Sequence, residues 1–553
     1  MNLRPLSLAG RTRTQSARIA FRRRRCAMLL AFLACPPAHS QTTPQAPPAQ
    51  VEVTRFEVVG NTLLPASKVD AVLAPFKGPQ SADDLKRAAL ALQEHYARAG
   101  YGGVVAYLSP QAVSGGVVRI DVLEGRLSRV VVNGNRHFSE ANIRRSLPSL
   151  VPGSTPRVDL ADAQIRLANE NPAKQIQVLL QPGSGTGEVE ARVRVTEEPV
   201  QRFSFGIDNR GNDRTGNLRA SLGWQHADIG GRDHVLSAQA QASPDEPSAV
   251  KVLSLAYRVP LYAARTAIDA YAAYSNVKPG ATPTLAGDLQ FNGRGRLFGV
   301  RATRYLQRLA GFDQRLSVGL DQRAYDNQCS IVGLPAGACG PAGESVSVQP
   351  VSIDYMLQRG VGLPLSLDLG LAHNLQIGGG HASDSRFQAV RPGATPRFSV
   401  LHASASAGVA LVNGLQANVR FSGQFASGGL VPGEQFGIGG MTSVRGYEER
   451  ELAGDHGAFT SVELTSPDLG KRAGFGQGHL HLLAFADGGW IRNRLGTPCL
   501  DNHVECTISS LGVGARLSLD RWQAQAYLAN PTKSSLLTRR AHTKVHLALG
   551  VSF

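Results

Sequence analysis

The chain has 553 residues, of which 18% are charged and 6% aromatic, with 60 Gly and only 6 Cys. Such a composition excludes a disordered chain, which would be poorer in apolar residues, and a disulfide scaffold, which would be richer in cysteine. The formal charge of +16 is concentrated at one end: residues 1–50 hold eight Arg and no Lys, Asp or Glu, leaving +8 for the rest. That surplus is too thin for a nucleic-acid-binding body.

The first segment reads as an export signal. Arg22–Arg25 make a positive n-region, Cys26–Cys35 an apolar run of ten, and Ala38-His39-Ser40 a small-x-small cleavage pattern. Ten apolar residues are about half of a spanning helix, so residues 1–40 are expected to be a cleaved signal peptide, taking Cys26 and Cys35 with them. Lipoprotein cleavage before Cys35 fits poorly with Phe32 three positions upstream. Residues 41–50 follow as a Pro-rich leader. No later stretch reaches about 18 consecutive apolar residues, which excludes a helical membrane protein but not a barrel.

Residues 51–125 and 126–198 read as two versions of one α+β design. Each opens with a strand ending in Gly-Asn, Phe56–Asn61 in the first and Val130–Asn135 in the second. Ser81 is the expected N-cap of a helix whose apolar face carries Leu85, Ala89, Leu92, Tyr96 and Ala99, stopped by Gly100. Strands follow at Val104–Leu108 and Val117–Val122. In the second unit Ser139 and Asp159 are expected to begin two short helices, and strands near Gln175–Gln181 and Val189–Thr196 close it.

From Phe203 onward the dominant period is two. Leu218/Ala220/Leu222/Trp224, Leu365/Leu367/Leu369/Leu371 and Leu511/Val513/Ala515/Leu517/Leu519 alternate with small polar residues. Lipid suits the first set and a wet lumen the second. Short turns at Ile229–Asp233, Asn413-Gly414 (a two-residue hairpin signal) and Asp520-Arg521 alternate with longer loops such as Lys278–Gln290, Asn327–Glu344 and Asn530–Lys544. That alternation is the outer-membrane pattern, and residues 199–553 at this spacing give about sixteen antiparallel strands.

Three sets of residues carry a family resemblance. Gly60–Pro65, Tyr96 with Ala99-Gly100-Tyr101, and Val122–Gly125 resemble the first POTRA module of two-partner secretion transporters (the TpsB type, haemolysin secretion/activation proteins) of the POTRA-barrel superfamily. An outsized loop, residues 427–457, contains Val444-Arg445-Gly446-Tyr447, similar to the superfamily's lumen-folded loop signature. Phe485, Asp487 and Gly489 fit its Phe-x-Asp-x-Gly partner on the next strand, and Phe553 ends an alternation resembling the C-terminal insertion signal of outer-membrane proteins. Asp208-Asn209-Arg210-Gly211 with Thr215-Gly216 is similar to the family's first barrel hairpin.

The fold implied is two periplasmic α+β POTRA domains, 51–125 and 126–198, followed by an all-β transmembrane barrel in a Gram-negative outer membrane. An Asp at membrane depth must face the lumen, and an Arg fork matches a carboxylate, so Arg445 is expected to pair with Asp487 and pin the loop. About ten residues with three prolines separate Ser40 from Val51, which disfavours a plug helix there and leaves the loop alone to close the pore. The resemblance implies ATP-independent export of a large unfolded β-helical exoprotein, haemolysin or adhesin, recognised through its N-terminal secretion domain. Lipid, periplasmic chaperones and the barrel insertion machinery are the other implied partners, with no nucleic acid. The rival readings are an insertase of the same superfamily and a passive porin or uptake channel.

Remaining leads are weaker. Cys329/Cys339 and Cys499/Cys506 are candidate loop disulfides. Cys499-x3-His503-x2-Cys506 lacks a fourth metal ligand, and His479-x-His481 lacks a third. Gly183-x-Gly185-x-Gly187 lacks the strand-to-helix setting of a nucleotide site. Neither a catalytic residue, nor a metal, nor a cofactor is expected.

Overall fold

A computed structural model describes residues 50–111, 113–213, 215–277, 282–284, 287–331, 344–360, 362–377 and 381–553. The expected signal peptide and nearly all of the leader lie outside the described residues, as does the pairing of Cys329 with Cys339.

The first α+β unit places the strands Arg55–Val59, Val117–Glu124 and Val104–Tyr107 in one sheet, the middle one parallel to the first and antiparallel to the last. Helix Ala82–Arg98 starts in a capping box in which Ser81 and Asp84 exchange hydrogen bonds. Its Leu92 and Tyr96 are fully buried against the sheet, worth about 1.5–3 kcal/mol for a side chain of Leu size. The second unit repeats the arrangement with Arg126–Asn133, Glu188–Glu197 and Lys174–Pro182. Ser139 caps its helix Glu140–Ser146 as expected. The next helix runs Val158–Ala168, one residue earlier than the expected start at Asp159, with Arg157 at its N-cap and Asp159 in its first turn, its carboxylate bound by the Arg157 guanidinium at 2.8 and 3.0 Å.

The twin Gly-Asn turns are built alike. Gly60 (φ +90°) and Gly134 (φ +87°) sit where a Cβ would approach Val122 O to 2.2 Å and Val195 O to 2.3 Å, so both left-handed backbone and close packing demand glycine. Asn61 and Asn135 each donate 2.9 Å hydrogen bonds to the carbonyl three residues on, Leu64 and Phe138. Glu124 then accepts from the amides of Thr62 and Leu63, and Glu197 from those of Arg136, His137 and Phe138. One turn chemistry used twice marks the two units as one design.

The joints are stiff. Gly102 N donates to Pro156 O at 2.9 Å and Val158 N to Gly100 O at 2.8 Å between the two units, and Arg157 stacks over the Tyr101 ring at 5.0 Å. Between the second unit and the barrel, Lys174 Nζ and Asp233, both fully buried, pair at 2.6 Å. Asn142, Ser146 and Tyr262 complete that cluster, which satisfies the buried charges that would otherwise be costly.

The rest closes into a barrel of sixteen antiparallel strands, from Gln201–Asp208 through to Lys544–Ser552, with short Thr282–Thr284 and Val346–Val348 segments extending two of its hairpins. Leu222, Leu255, Phe298 and Leu511 face outward and exposed, as lipid requires. Strands Gly287–Tyr305 and Asp313–Ile331 reach 19 residues each. They therefore extend into both stretches expected to be loops, and Cys329 stands in a strand, paired opposite Phe291. The Asn413-Gly414 turn is one residue longer than the expected two-residue hairpin: Leu411 N donates to Leu415 O across Val412-Asn413-Gly414, with Asn413 at φ 58° and Gly414 at φ 74°. Leu519 pairs with Trp522 across Asp520-Arg521.

The closing seam is short: the last strand pairs with the first only from Ala548/Asp208 to Ser552/Ser204. Phe203 and Phe553 extend it with two backbone hydrogen bonds of 2.7 and 2.9 Å and stacked rings 6.4 Å apart. At the other end the Asn209 side chain donates to Val545 O at 2.8 Å and accepts from Leu547 N at 2.7 Å.

Candidate functional site

The strands flanking the outsized loop are Gln416–Ala426 and His456–Thr465, so the second strand starts two residues before the expected limit of Ala458. Inside the barrel the intervening chain forms a hairpin, with Phe436–Ile438 pairing antiparallel to Leu452–Gly454. Its tip carries the Val-Arg-Gly-Tyr tetrad. Val444 and Tyr447 are fully buried and Arg445 is 2% exposed.

Arg445 faces strand His479–Arg492, and Asp487 there is 3% exposed. The guanidinium makes a two-point contact, Nε and Nη2 each 2.7 Å from the carboxylate, and the Arg445 backbone N–H adds a third bond at 3.1 Å. Nη1 reaches Glu463 at 2.7 Å and Nη2 reaches Ser461 at 3.0 Å, on the neighbouring strand. Glu463 is shared with Arg516 at 2.8 and 3.0 Å. Phe485 lies flat below the guanidinium, 3.4 Å from its carbon to the ring centre, a cation–π stack strengthened by exclusion of water.

The remaining residues of the two motifs have physical reasons to be there. Phe485, Asp487 and Gly489 stand on one strand face at alternate positions. A Cβ on Gly489 would lie 2.9 Å from Val444 and 3.0 Å from Ile438, so glycine makes room for the hairpin. Gly446 (φ +94°) turns the chain beside Arg445. The Tyr447 hydroxyl donates to Ser509 O and Lys533 O at 3.0 and 2.9 Å.

Several residues of this network were not among the expected set: Ser461, Glu463, Arg516 and His546. Their signal was available in part. Between the outward Val545 and Leu547, the period of two turns His546 inward, where its Nε2 accepts from Gly446 N at 3.1 Å. Two further ion pairs hold the same hairpin. Asp455, fully buried, accepts both Arg391 Nη1 and Nη2 at 2.6 and 3.0 Å, and Glu434 accepts Arg323 at 2.9 Å. Cys499 and Cys506 form a disulfide in the next outer loop. Among the described residues no cluster of three His, Cys, Asp or Glu could hold a metal. His479 instead pairs with Asp468 at 2.6 Å, and His481 with Ser466 O at 3.0 Å.

A second feature lies in the first α+β unit. Strand Val104–Tyr107 is at the edge of its sheet, where Gln93 Oε1 accepts from the outward Ala106 N at 3.2 Å, and a groove of about 500 Å³ runs between it and helix Ala82–Arg98. Leu85, Ala89, Leu108 and Val113 line it, with Leu90 and Tyr107 about half exposed at the rim.

Residues 187–517, most of the barrel and its lumen hairpin, match the family described as haemolysin secretion/activation protein ShlB/FhaC/HecB. The chain belongs to that family. Residues 51–125 match its POTRA domain, ShlB-type. Among ShlB/FhaC/HecB-like relatives, the outer membrane transporter CdiB of Escherichia coli O6:K15:H31 is 26% identical over 462 residues, spanning 80% of this chain and 73% of CdiB. The heme/hemopexin transporter protein HuxB of Haemophilus influenzae is 23% identical over 464 residues, 81% of this chain and 77% of HuxB. The solved structure of CdiB from E. coli superposes with a TM-score of 0.78 at 19% identity, covering 93% of this chain and 92% of that one. CdiB from Acinetobacter baumannii follows at 0.71 and 16% identity, covering 92% and 90%. This ShlB/FhaC/HecB protein is thus an outer-membrane β-barrel transporter with its α+β units in the periplasm.

Proposed function

We propose that the protein moves a large unfolded exoprotein, β-helical once folded, from the periplasm to the cell surface through a barrel gated by the Arg445 hairpin. The observation carrying this reading is the pairing of a closed barrel, whose lumen holds a hairpin bound to the wall by the Arg445–Asp487 ion pair, with a sheet edge on the periplasmic arm. The hairpin is held by ion pairs and hydrogen bonds and also by an apolar cluster in which Ile438, Val444, Tyr447 and Leu452 pack with Ile491 and Ile508, so its release exchanges polar partners for water and exposes that cluster.

Capture begins at strand Val104–Tyr107. An extended segment of the cargo's N-terminal secretion domain adds to that edge, gaining backbone hydrogen bonds without a fixed sequence, while the adjoining apolar groove selects side chains. Residues 1–40 acting as a signal peptide and the two α+β units acting as tandem POTRA domains support an export route, with chaperones and the insertion machinery serving the chain's own assembly. Folding of the cargo outside supplies the direction without nucleotide hydrolysis. The Val444–Tyr447 tetrad with Phe485, Asp487 and Gly489 acts as the lock, and Phe553 as the insertion signal. The test is co-expression with a β-helical exoprotein: surface appearance that needs this chain and is lost on Val104→Pro, which removes an N–H that faces away from strand Val117–Glu124 and toward the edge, supports the reading. Export that is unchanged by Val104→Pro removes the edge from it.

A further inference from the structure

The lumen hairpin meets the wall a second time, far from Asp487. Just after leaving strand Gln416–Ala426, the chain passes Gly433-Glu434. The Glu434 carboxylate, 7% exposed, accepts from Arg323 Nη1 at 2.9 and 3.3 Å and from the Tyr325 hydroxyl at 2.6 Å. That hydroxyl also lies 3.3 Å from Gly433 O. The Tyr325 ring packs so closely that a Cβ on Gly433 would come within 2.4 Å of it. Arg323 is itself oriented by Asp321 at 2.7 Å, and the Glu434 carbonyl accepts Gln424 Nε2 at 3.0 Å. Every group around Glu434 is thus directional and satisfied, the condition under which a buried ion pair holds a geometry.

Arg323 and Tyr325 stand on strand Asp313–Ile331, the seventh of the barrel, and Asp487 on the thirteenth. The polarity is reversed between the two places. The hairpin contributes a carboxylate to the seventh strand and a guanidinium to the thirteenth. We propose that Glu434, with Arg323 and Tyr325 as positioning residues, is a second anchor of the gate, and that the pore opens fully only when it is released as well as Arg445. Release of Arg445 frees the tip, while Glu434 keeps the entry limb against the far wall and the hairpin across the bore. The inference rests on the hairpin being the gate, as in the proposed function.

The test is conductance of the full-length protein in planar lipid bilayers with KCl, which needs no cargo. Glu434→Gln and Arg323→Gln should each raise the fraction of time open by about tenfold, the equivalent of about 1.4 kcal/mol. The double variant should differ from either single by less than about twofold, because both substitutions break one interaction. Heat-modifiable migration reports that the barrel is folded. Tyr325→Phe keeps the ring over Gly433 and removes only the hydroxyl, so it serves if the charge variants do not fold; a rise of about threefold is expected. Wild-type conductance in a folded single variant, or multiplicative effects in the double, overturns the second anchor and leaves the export reading standing. Loss of export dependence on the chain would instead strike that reading alone.

Discussion

Replacing Arg445 by Ala removes more than one contact. Asp487, whose side chain is fully buried, loses both guanidinium bonds and retains only the backbone N–H at 3.1 Å. Glu463 retains Arg516, so a single carboxylate is orphaned. Breaking a buried pair from one side costs about 3–5 kcal/mol, and the surviving N–H puts this case near the lower end. About 3 kcal/mol shifts the ratio of withdrawn to docked hairpin by on the order of a hundredfold. The assay is again bilayer conductance, alongside export and heat-modifiability: Arg445→Ala should insert and fold, open far more often, and export poorly. Adding Asp487→Ala should recover part of the lost stability, because no charge is then left unpaired. A folded Arg445→Ala protein with the wild-type conductance trace would refute the assignment of Arg445 as the lock.

Three further outcomes are expected. Glu124 is partly desolvated, which pushes its carboxyl up, but hydrogen bonds from Thr62, Leu63 and Tyr96 outweigh this and hold it below its ordinary range. A depressed folded value means its stabilisation is present above the unfolded carboxylate pKa and lost as pH falls through the folded one; protection of the Thr62 and Leu63 amides, relative to their intrinsic exchange rate at each pH, should therefore fall on acidification, and Glu124→Gln should show that lower protection already at neutral pH. Asn209→Ala removes two seam hydrogen bonds, about 1 kcal/mol each, and should speed amide exchange at Val545–Leu547 while the other strand pairs stay protected; unchanged exchange would mean the side chain does not hold the seam. Cys499→Ser with Cys506→Ser should cost that loop about 2–3 kcal/mol and raise its protease sensitivity without altering heat-modifiability.

The barrel was legible because lipid imposes one rule on every strand: apolar residues outward at a period of two, as in Leu511–Leu519. The Gly-Asn turns and the Ser81 and Ser139 caps were legible for a similar reason, since local chemistry decides them. The second helix of the second unit was legible to within one residue, because an acidic side chain such as Asp159 is favoured in a first turn. The lock pair could be inferred from an Asp that had to face the lumen. Its companions were legible only in facing, as with the inward His546; that Glu463, Arg516 and His546 meet was not, since they come from three other strands whose lateral register alone brings them together. Glu434 and Arg323 are separated by 111 positions, and nothing local in either segment announces the other.

The stiff joints of the periplasmic arm have a mechanical corollary. With Gly100 and Gly102 bonded across to Val158 and Pro156, and Lys174 sealed against Asp233, the arm behaves as a strut of fixed length. A cargo segment seated on Val104–Tyr107, as proposed above, would wait at a set distance below the bore, and only chain beyond that tether length could thread upward. The first part of the exported polypeptide to emerge would accordingly be chosen by geometry, as a loop paid out from a fixed mooring.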